Sequence, residues 1–391
     1  MNSISPDDVY PLVLLGGGHS HALWIKHWQQ LDAKNPLKAI RPLLISENSN
    51  SPYSGMLPGL LSGDYTYDDC HIDLVYLCKK SNCDFLQGNC ISVKRIEHPQ
   101  FETLYRLDFK PNEQNETAFI YCEKLSINIG SQPTSLAANN DSLHSNKTSW
   151  KVKPISQFYN NWQRLQEALN TAKAEDPIDK LLEKPIISII GAGAAGVEIA
   201  CAIKLAQKNC TVQLLSKSKQ PLPNFSIKLQ QLCLQRLQRL GILFVGEHRA
   251  TEDASDFTIV CTQSSAPLWL ENCDLNLSET GFICIDENLE TSLPNVFAVG
   301  DCAHFMPQPL AKAGVFAVRQ ADTLFHNMCL QRSPDSSALT LTPFKPQTNF
   351  LSIINMGNHY ALAQRGRWSL SGFLPWRYKH YIDEKFMAQF K

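Results

Sequence analysis

Two short glycine-rich runs are the parts of this sequence best suited to hold a ligand. The run from Gly191 to Gly196 (GAGAAG) fills every position of the GxGxxG pattern. The run from Gly16 to His21 (GGGHSH) has glycine at the first two pattern positions and histidine at the third. Such glycines permit a tight turn and let backbone N–H groups approach a pyrophosphate at the positive end of a helix. The sequence therefore predicts two dinucleotide sites.

An acid after a third apolar run supports this interpretation. Gly300 and Asp301 follow the run Val296–Val299 directly, so we expect a strand that ends on a carboxylate able to accept a hydrogen bond from a polyol. The alternative, an exposed aspartate in a turn, does not explain the order of the three motifs. Gly130 lies in the run Leu125–Pro133 (LSINIGSQP), which resembles a short glycine motif at which the chain passes between two domains.

The segments around both turns predict parallel strands joined by helices, because each turn follows a short apolar run and precedes a helical pattern. In the first unit we predict the strand Leu12–Leu15, a helix from about Ser20 to Leu31 and the strand Pro42–Ser46. In the second unit we predict the strands Ile186–Ile190, Thr211–Ser216 and Ile242–Val245, with helices Gly196–Lys208 and Lys228–Leu240.

The predicted fold class is α/β, with two Rossmann-like dinucleotide-binding domains of the three-layer ββα type and a small C-terminal segment. We predict that the second domain is inserted in the first. The boundaries are 1–150 for the first domain, 151–283 for the inserted domain, 284–345 for the return to the first domain and 346–391 for the C-terminal segment. Alternating apolar residues over 101–129 indicate an antiparallel meander, and the polar stretch 139–149 indicates a loop.

Composition limits the choice of partners and compartment. The formal net charge of −1 shows no basic footprint for nucleic acid. No apolar run approaches the roughly 20 residues that span a bilayer, and the first ten residues do not have the pattern of a secretory signal. Thirteen scattered cysteines favour reduced thiols. We expect a cytoplasmic protein, or one bound peripherally to the inner face of the membrane.

The order of these motifs resembles the pyridine nucleotide–disulfide oxidoreductase superfamily, and more closely its type II NADH dehydrogenase-like branch, which lacks the redox disulfide. Four further runs are similar to a subgroup fused to, or encoded beside, selenophosphate synthetase. They are Ser51–Gly59 (SPYSGMLPG), His71–Leu74 (HIDL), Arg365–Trp368 (RGRW) and Ile382–Met387 (IDEKFM). The resemblance covers nearly the whole chain and implies FAD in the first domain and NADH or NADPH in the inserted one.

Site residues follow from the resemblance motif by motif. For FAD it implies a pyrophosphate loop of Gly16, Gly17, Gly18, His19 and Ser20, and a segment lining the isoalloxazine, of Ser54, Gly55 and Met56. It also implies the passage at Gly130 and the ribityl-binding acid Asp301. Lys312, Ala313 and Gly314 would start a helix aimed at the flavin pyrimidine. For the nicotinamide nucleotide it implies Gly191, Gly193, Ala194, Ala195 and Gly196, with Ser216 and Lys217 near the ribose.

Two departures affect nucleotide recognition. Ser46 stands where an acid usually binds the adenosine ribose, so Glu47 is the candidate substitute. In the inserted domain Ser216 and two nearby lysines replace the acid that would favour NADH, which makes NADPH at least as suitable as NADH.

The resemblance implies that Glu198 lies near the nicotinamide and Lys312 near the flavin, and we take these two as the candidate catalytic residues. The alternatives are an ordinary acid in the first turn of a helix and a solvated cation at a helix start. No metal site is predicted.

Cys78 and Cys83 have the CxxxxC spacing of the redox disulfide in glutathione-reductase-like flavoenzymes. They lie further along the chain than that disulfide, without flanking glycine, so we predict no redox role for them.

The favoured function is hydride transfer from NAD(P)H to flavin N5, with electrons passed to a quinone or another small acceptor without a redox disulfide. The alternatives are a selenium- or sulfur-linked flavoprotein reductase and a non-catalytic FAD/NAD(P) redox-sensing module. Selenophosphate synthetase is a candidate partner. The aromatic and basic tail suits either a peripheral membrane contact or a packing helix or homodimer contact.

Overall fold

A computed structural model of the chain describes residues 9–112, 116–133, 148–171, 184–247, 255–261, 264–330 and 341–391. Most of the predicted polar loop, 139–147, lies outside these residues. The predicted loop residues Thr148 and Ser149 belong instead to the strand Thr148–Lys151, because that segment pairs with Phe257–Val260.

The first large sheet combines parallel and antiparallel strands. Its eight strands lie in the order Val9–Tyr10, Ala118–Cys122, Tyr105–Pro111, Asp84–Arg95, Leu43–Ser46, Val13–Leu15, Leu125–Ile127 and Val296–Ala298. The last five of these pair in parallel, and the first glycine turn leaves the sheet next to its middle. The predicted meander is antiparallel, but it begins at Asp84 rather than near 101.

The second sheet is parallel throughout. Its strands lie in the order Thr148–Lys151, Phe257–Val260, Ile186–Ile190, Thr211–Leu215 and Leu243–Val245. Every strand of this second sheet therefore comes from residues between 148 and 260, whereas the strand Val296–Ala298 belongs to the first sheet. The exact domain boundaries stay predictions.

The C-terminal residues form a third, antiparallel sheet followed by a helix. The strands are Ser352–Asn355, Ala361–Arg365 and Trp368–Gly372. The first two strands are joined by a turn at Gly357 and Asn358, with positive φ at both residues. The last strand includes Trp368, so the aromatic tail is part strand and part helix.

Small strand pairs and helices complete the fold. The pairs are Gln132–Pro133 with Ser264–Ser265, Ile283–Ile285 with Ala303–Phe305, and Asn50–Pro52 with His71–Asp73. In the described ranges, the α-helices are His19–Gln30, Leu57–Ser62, Tyr67–Cys70, Leu74–Lys80, Ile155–Thr171, Ala194–Ala206, Ile227–Arg239, Gly314–Cys329 and Phe373–Ala388. Short 3₁₀ helices occupy Pro36–Ala39, Ser54–Met56, Leu268–Asn272 and Gly300–Cys302.

Two buried clusters of apolar side chains correspond to the two large sheets. The first contains Trp24 and Trp28 of the helix His19–Gln30, which packs against the helix Gly314–Cys329. The second contains Trp150 and Trp162 and extends to Met356 of the C-terminal segment. The α/β fold with parallel sheets is therefore confirmed, and both glycine turns lie at carboxyl ends of parallel strands, where ligands bind in such folds.

Candidate active site

The first glycine turn is packed too closely for side chains. Gly16 has φ +97°, and a Cβ there would lie 2.4 Å from the carbonyl oxygen of Asn128. A Cβ on Gly18, which precedes the helix His19–Gln30, would lie 1.6 Å from Asn128 Oδ1. As at any helix start, the first backbone N–H groups have no carbonyl one turn back. The turn therefore suits a dinucleotide pyrophosphate, and the roles of Gly16 to Ser20 stay predictions. Ser20 is fully buried, and its hydroxyl donates to the carbonyl of Ala317.

His21 gives the irregular third pattern position a structural role. Its ring is fully buried, with Nδ1 2.7 Å from the carbonyl oxygen of Gly16 and Nε2 2.8 Å from Ser126 Oγ. Burial lowers the pKa of His21 to about 4, so the ring is neutral at physiological pH. The side chain fills the gap that a glycine would leave and holds the turn against the strand Leu125–Ile127.

Asn128 was missed by sequence reasoning, although it lies inside the recognised LSINIGSQP run. Its backbone N–H donates to the carbonyl of Leu15, and its carbonyl accepts from Gly18. Its side-chain Nδ2 donates to the carbonyl of Val299 at 2.8 Å. One residue thus connects the glycine turn to the segment that leads to Asp301.

Asp301 lies in a turn rather than at the end of a strand. The strand ends at Ala298, and Asp301 occupies the 3₁₀ helix Gly300–Cys302, because Gly300 turns the chain with φ +72°. Asp301 Oδ2 lies 2.9 Å from Lys153 Nζ and 3.5 Å from Ser131 Oγ. The predicted role of this carboxylate at the ribityl chain stays a prediction, and its ion-pair partner Lys153 was not foreseen.

The predicted isoalloxazine-lining residues form the 3₁₀ helix Ser54–Met56, and the C-terminal helix contacts it directly. Lys379 Nζ donates to the Gly55 carbonyl at 2.8 Å and pairs with Asp383 at 2.8 Å. Tyr53 OH donates to the other carboxylate oxygen of Asp383 at 3.2 Å. Lys379 and Asp383 are 12% and 5% exposed, which marks a buried charged pair beside the site. Burial raises the pKa of Asp383 despite the neighbouring ammonium.

Glu198 belongs to the same region. Its carboxylate oxygen accepts the backbone N–H of Asn355 at 2.7 Å, so the C-terminal sheet fixes its position. Burial raises its pKa to about 7, while Lys379 and the hydrogen bond from Asn355 oppose the shift and Asp383 adds to it. Glu198 is therefore not an ordinary solvated helix acid, although its predicted place beside the nicotinamide stays a prediction.

Contacts within the protein stabilise the charged side chain of Lys312. Its ammonium donates to the carbonyl of Ala303 and lies 3.8 Å from the centre of the Phe282 ring. Burial lowers its pKa. These contacts distinguish Lys312 from a freely solvated cation, while its role next to the flavin stays a prediction. The helix begins at Gly314 with Ala313 preceding it, as predicted.

The second turn has the geometry expected for its pattern. Gly191 has φ +109°, and a Cβ on Gly196 would lie 1.8 Å from the Gly191 carbonyl oxygen, so helix and strand approach closely. A Cβ on Gly193 would meet nothing within 4 Å, which leaves open space at the start of the helix Ala194–Ala206.

The two ribose-side candidates lie just beyond strand ends. Ser216 follows a strand that ends at Leu215, and its Oγ accepts the N–H of Ser218 at 3.1 Å, while Lys217 is exposed. Glu47 is exposed, one residue after the strand Leu43–Ser46.

The cysteines of the CxxxxC pair are both free and buried. Burial raises the pKa of Cys78 and of Cys83, which disfavours the reactive thiolate. Within the described parts of the chain, no group of three or more His, Cys, Asp or Glu side chains is suited to a metal ion. Over the same residues, none of the helices has the length and apolar character needed to cross a bilayer.

Comparison with known proteins establishes the family. A family model described as "Pyridine nucleotide-disulphide oxidoreductase" matches residues 31–321. The chain belongs to this family. It is thus a member of a family of flavin-dependent NAD(P)H oxidoreductases, for which FAD is the expected cofactor.

Among curated proteins, the chain is similar to human ferroptosis suppressor protein 1, with 26% identity over 155 residues, or 33% of this chain and 42% of that protein. It is also similar to the NAD(P)H coenzyme A polysulfide/persulfide reductase of Pyrococcus horikoshii, with 30% identity over 132 residues and 30% of each chain. The matched regions span less than half the length of these relatives.

Solved structures share the fold over most of the chain. The NDH2 of Plasmodium falciparum in complex with NADH has a TM-score of 0.72 at 14% identity, covering 97% of this chain and 98% of that one. The NAD-dependent persulfide reductase of A. fulgidus has a TM-score of 0.70 at 17% identity, covering 91% and 64%. The sulfide:quinone oxidoreductase of Aquifex aeolicus has a TM-score of 0.68 at 15% identity, covering 98% and 91%.

Proposed function

We propose that this chain is an FAD-dependent oxidoreductase that takes a hydride from NAD(P)H at flavin N5 and passes electrons directly to a quinone or another small acceptor. The observation that carries the proposal is the two-sided C-terminal helix, Phe373–Ala388. Its inner face brings Lys379 to the carbonyl of Gly55, in the segment expected to line the isoalloxazine. Its outer face exposes several large apolar side chains. Such a helix would connect the expected flavin site with surroundings in which a lipid-soluble acceptor dissolves.

The exposed apolar side chains of the outer face recur at helical spacing. Phe373, Leu374, Tyr378 and Tyr381 are each at least half exposed, and Leu374 is 70% exposed. The neighbouring strand adds Trp368, which is 85% exposed. Basic side chains accompany them at Arg365, Arg367, Arg377 and Lys385. An exposed face of aromatic, aliphatic and basic residues suits a membrane interface, so we infer peripheral binding at the inner face of the membrane.

The chain's own residues would bind and orient the reactants and would hold and release the proton of the reaction. When bound, FAD supplies the ring that accepts the hydride. Reduction of a quinone to a hydroquinone by NAD(P)H takes up one proton in addition to the hydride. Glu198, whose pKa is raised to about 7, is suited to hold and release that proton near neutral pH. Asp383 and Tyr53 keep Lys379 in one orientation at the Gly55 carbonyl.

The test begins with anaerobic mixing of the purified yellow protein with NADH or NADPH. We expect the visible flavin band to bleach on a catalytic timescale and to recover fastest when a quinone is added, compared with ferricyanide, oxygen and selenium compounds. Absence of bleaching would reject the reductase and favour the non-catalytic redox-sensing module.

The proposed binding to the membrane is tested with a separate double variant. Leu374→Ser combined with Trp368→Ser should weaken sedimentation with anionic vesicles and activity with long-chain quinones, while ferricyanide reduction is unchanged. Unchanged sedimentation, with a change of molecular mass in solution, would assign the face to a homodimer instead.

A selenium- or sulfur-linked reductase is the second candidate. It is favoured by the match to the P. horikoshii polysulfide/persulfide reductase and by the runs similar to the selenophosphate-synthetase-associated subgroup, which also make that synthetase a candidate partner. Faster recovery of the flavin band with a persulfide or selenium compound than with a quinone would favour this candidate.

A further inference from the structure

Lys153 joins the two dinucleotide units at the point where the flavin is expected to bind. It lies between the strand Thr148–Lys151 of the second sheet and the helix Ile155–Thr171. Its ammonium, however, contacts residues that follow strands of the first sheet. Nζ lies 2.9 Å from Asp301 Oδ2 and 3.0 Å from Ser131 Oγ.

The geometry around Asp301 leaves one carboxylate oxygen for a ligand. Oδ2 is engaged by Lys153 and Ser131, whereas in the described parts of the chain no donor bonds to Oδ1. The backbone before it is also fixed, because the Gly300 N–H donates to the buried Gln320 side chain at 2.7 Å. Asp301 is 19% exposed and Lys153 36% exposed, so both side chains are partly open to solvent.

We propose that Lys153 is a flavin-positioning residue: it holds Asp301 through Oδ2 so that Oδ1 receives a ribityl hydroxyl, and its charge offsets that of Asp301 beside the pyrophosphate. Without the lysine, an uncompensated carboxylate would face a ligand that carries two phosphate charges. An ion pair whose members are partly open to solvent contributes little to folding, roughly 0–1 kcal/mol. Its removal should therefore weaken FAD binding much more than it weakens the fold. The inference rests on FAD binding in the proposed function, but not on the identity of the electron acceptor.

The experiment measures FAD affinity in the apoprotein of the full chain, by quenching of flavin fluorescence. Lys153→Met should raise the FAD dissociation constant about tenfold, while Lys153→Arg stays within about threefold of wild type. The matched control is Lys94→Met, since Lys94 forms an ion pair with Asp274 at the same 2.9 Å but away from the glycine turns. This control should leave the dissociation constant and the apoprotein Tm unchanged.

A double-mutant cycle separates positioning from a general structural role. If Lys153 acts through Asp301, Lys153→Met should have little further effect in an Asp301→Asn background. Equal tenfold losses in both backgrounds would overturn the proposal, as would wild-type affinity in Lys153→Met. If the wild-type chain itself binds no FAD, the proposed function fails, whereas a flavin-loaded Lys153→Met protein with unchanged affinity refutes the inference about Lys153 alone.

Discussion

Replacement of Glu198 by glutamine should make the protein more stable at neutral and alkaline pH. Burial raises the pKa of Glu198 from an ordinary 4.5 to about 7. The folded chain therefore keeps this proton up to about pH 7, whereas the unfolded chain releases it near pH 4.5. Because the folded form binds more protons between these values, the free energy of unfolding falls as the pH rises through this window. The loss is on the order of 3 kcal/mol above pH 7.

Glutamine keeps the oxygen that accepts the Asn355 N–H but cannot ionise. Thermal unfolding followed from pH 5 to 8.5 should therefore show a Tm advantage of Glu198→Gln that grows with pH and levels off at roughly 5 °C. The exposed Glu102→Gln variant serves as the control and should show no such growth. A Tm difference that stays constant across this range would refute the assignment of Glu198 as a buried, destabilising carboxylate.

Three further predictions concern the glycine turns and their neighbours. His21→Ala should lower the free energy of unfolding by roughly 2–4 kcal/mol. In a pH series of Tm values, that deficit should shrink from pH 6.5 towards 4, because in this range His21 takes up a proton in the unfolded wild type but not in the folded one, whose His21 pKa is about 4. Gly18→Ala should purify with little flavin since its Cβ would overlap Asn128, whereas Gly193→Ala, which has open space, should retain normal flavin content by absorbance. Lys217→Met with Lys219→Met should raise the KM for NADPH about tenfold and leave that for NADH unchanged; equal changes would show that these lysines do not read the 2′-phosphate.

The sequence predicted the segments around the two turns to within a few residues. The strand Ile186–Ile190 has the predicted bounds, and the helix predicted from Ser20 begins at His19. These predictions succeeded because apolar runs, glycine turns and helical patterns are local. The prediction failed where a long-range contact overrides the local signal. Thr148 and Ser149 are polar enough to suggest a loop, but pairing with a distant strand makes them part of a sheet.

The sequence determined by itself that the chain has two dinucleotide turns and an acid after a third strand, because each motif depends on a few adjacent residues. Only the tertiary structure decided what surrounds them. Lys379 reaches the carbonyl of Gly55 across a separation of 324 residues, and Lys153 reaches Asp301 across 148. Neither lysine lies in a recognisable motif, so its role depends entirely on how the sheets and the C-terminal helix pack. Contacts of this kind depend on how the whole fold packs, and no pattern of residue spacing in the sequence indicates them.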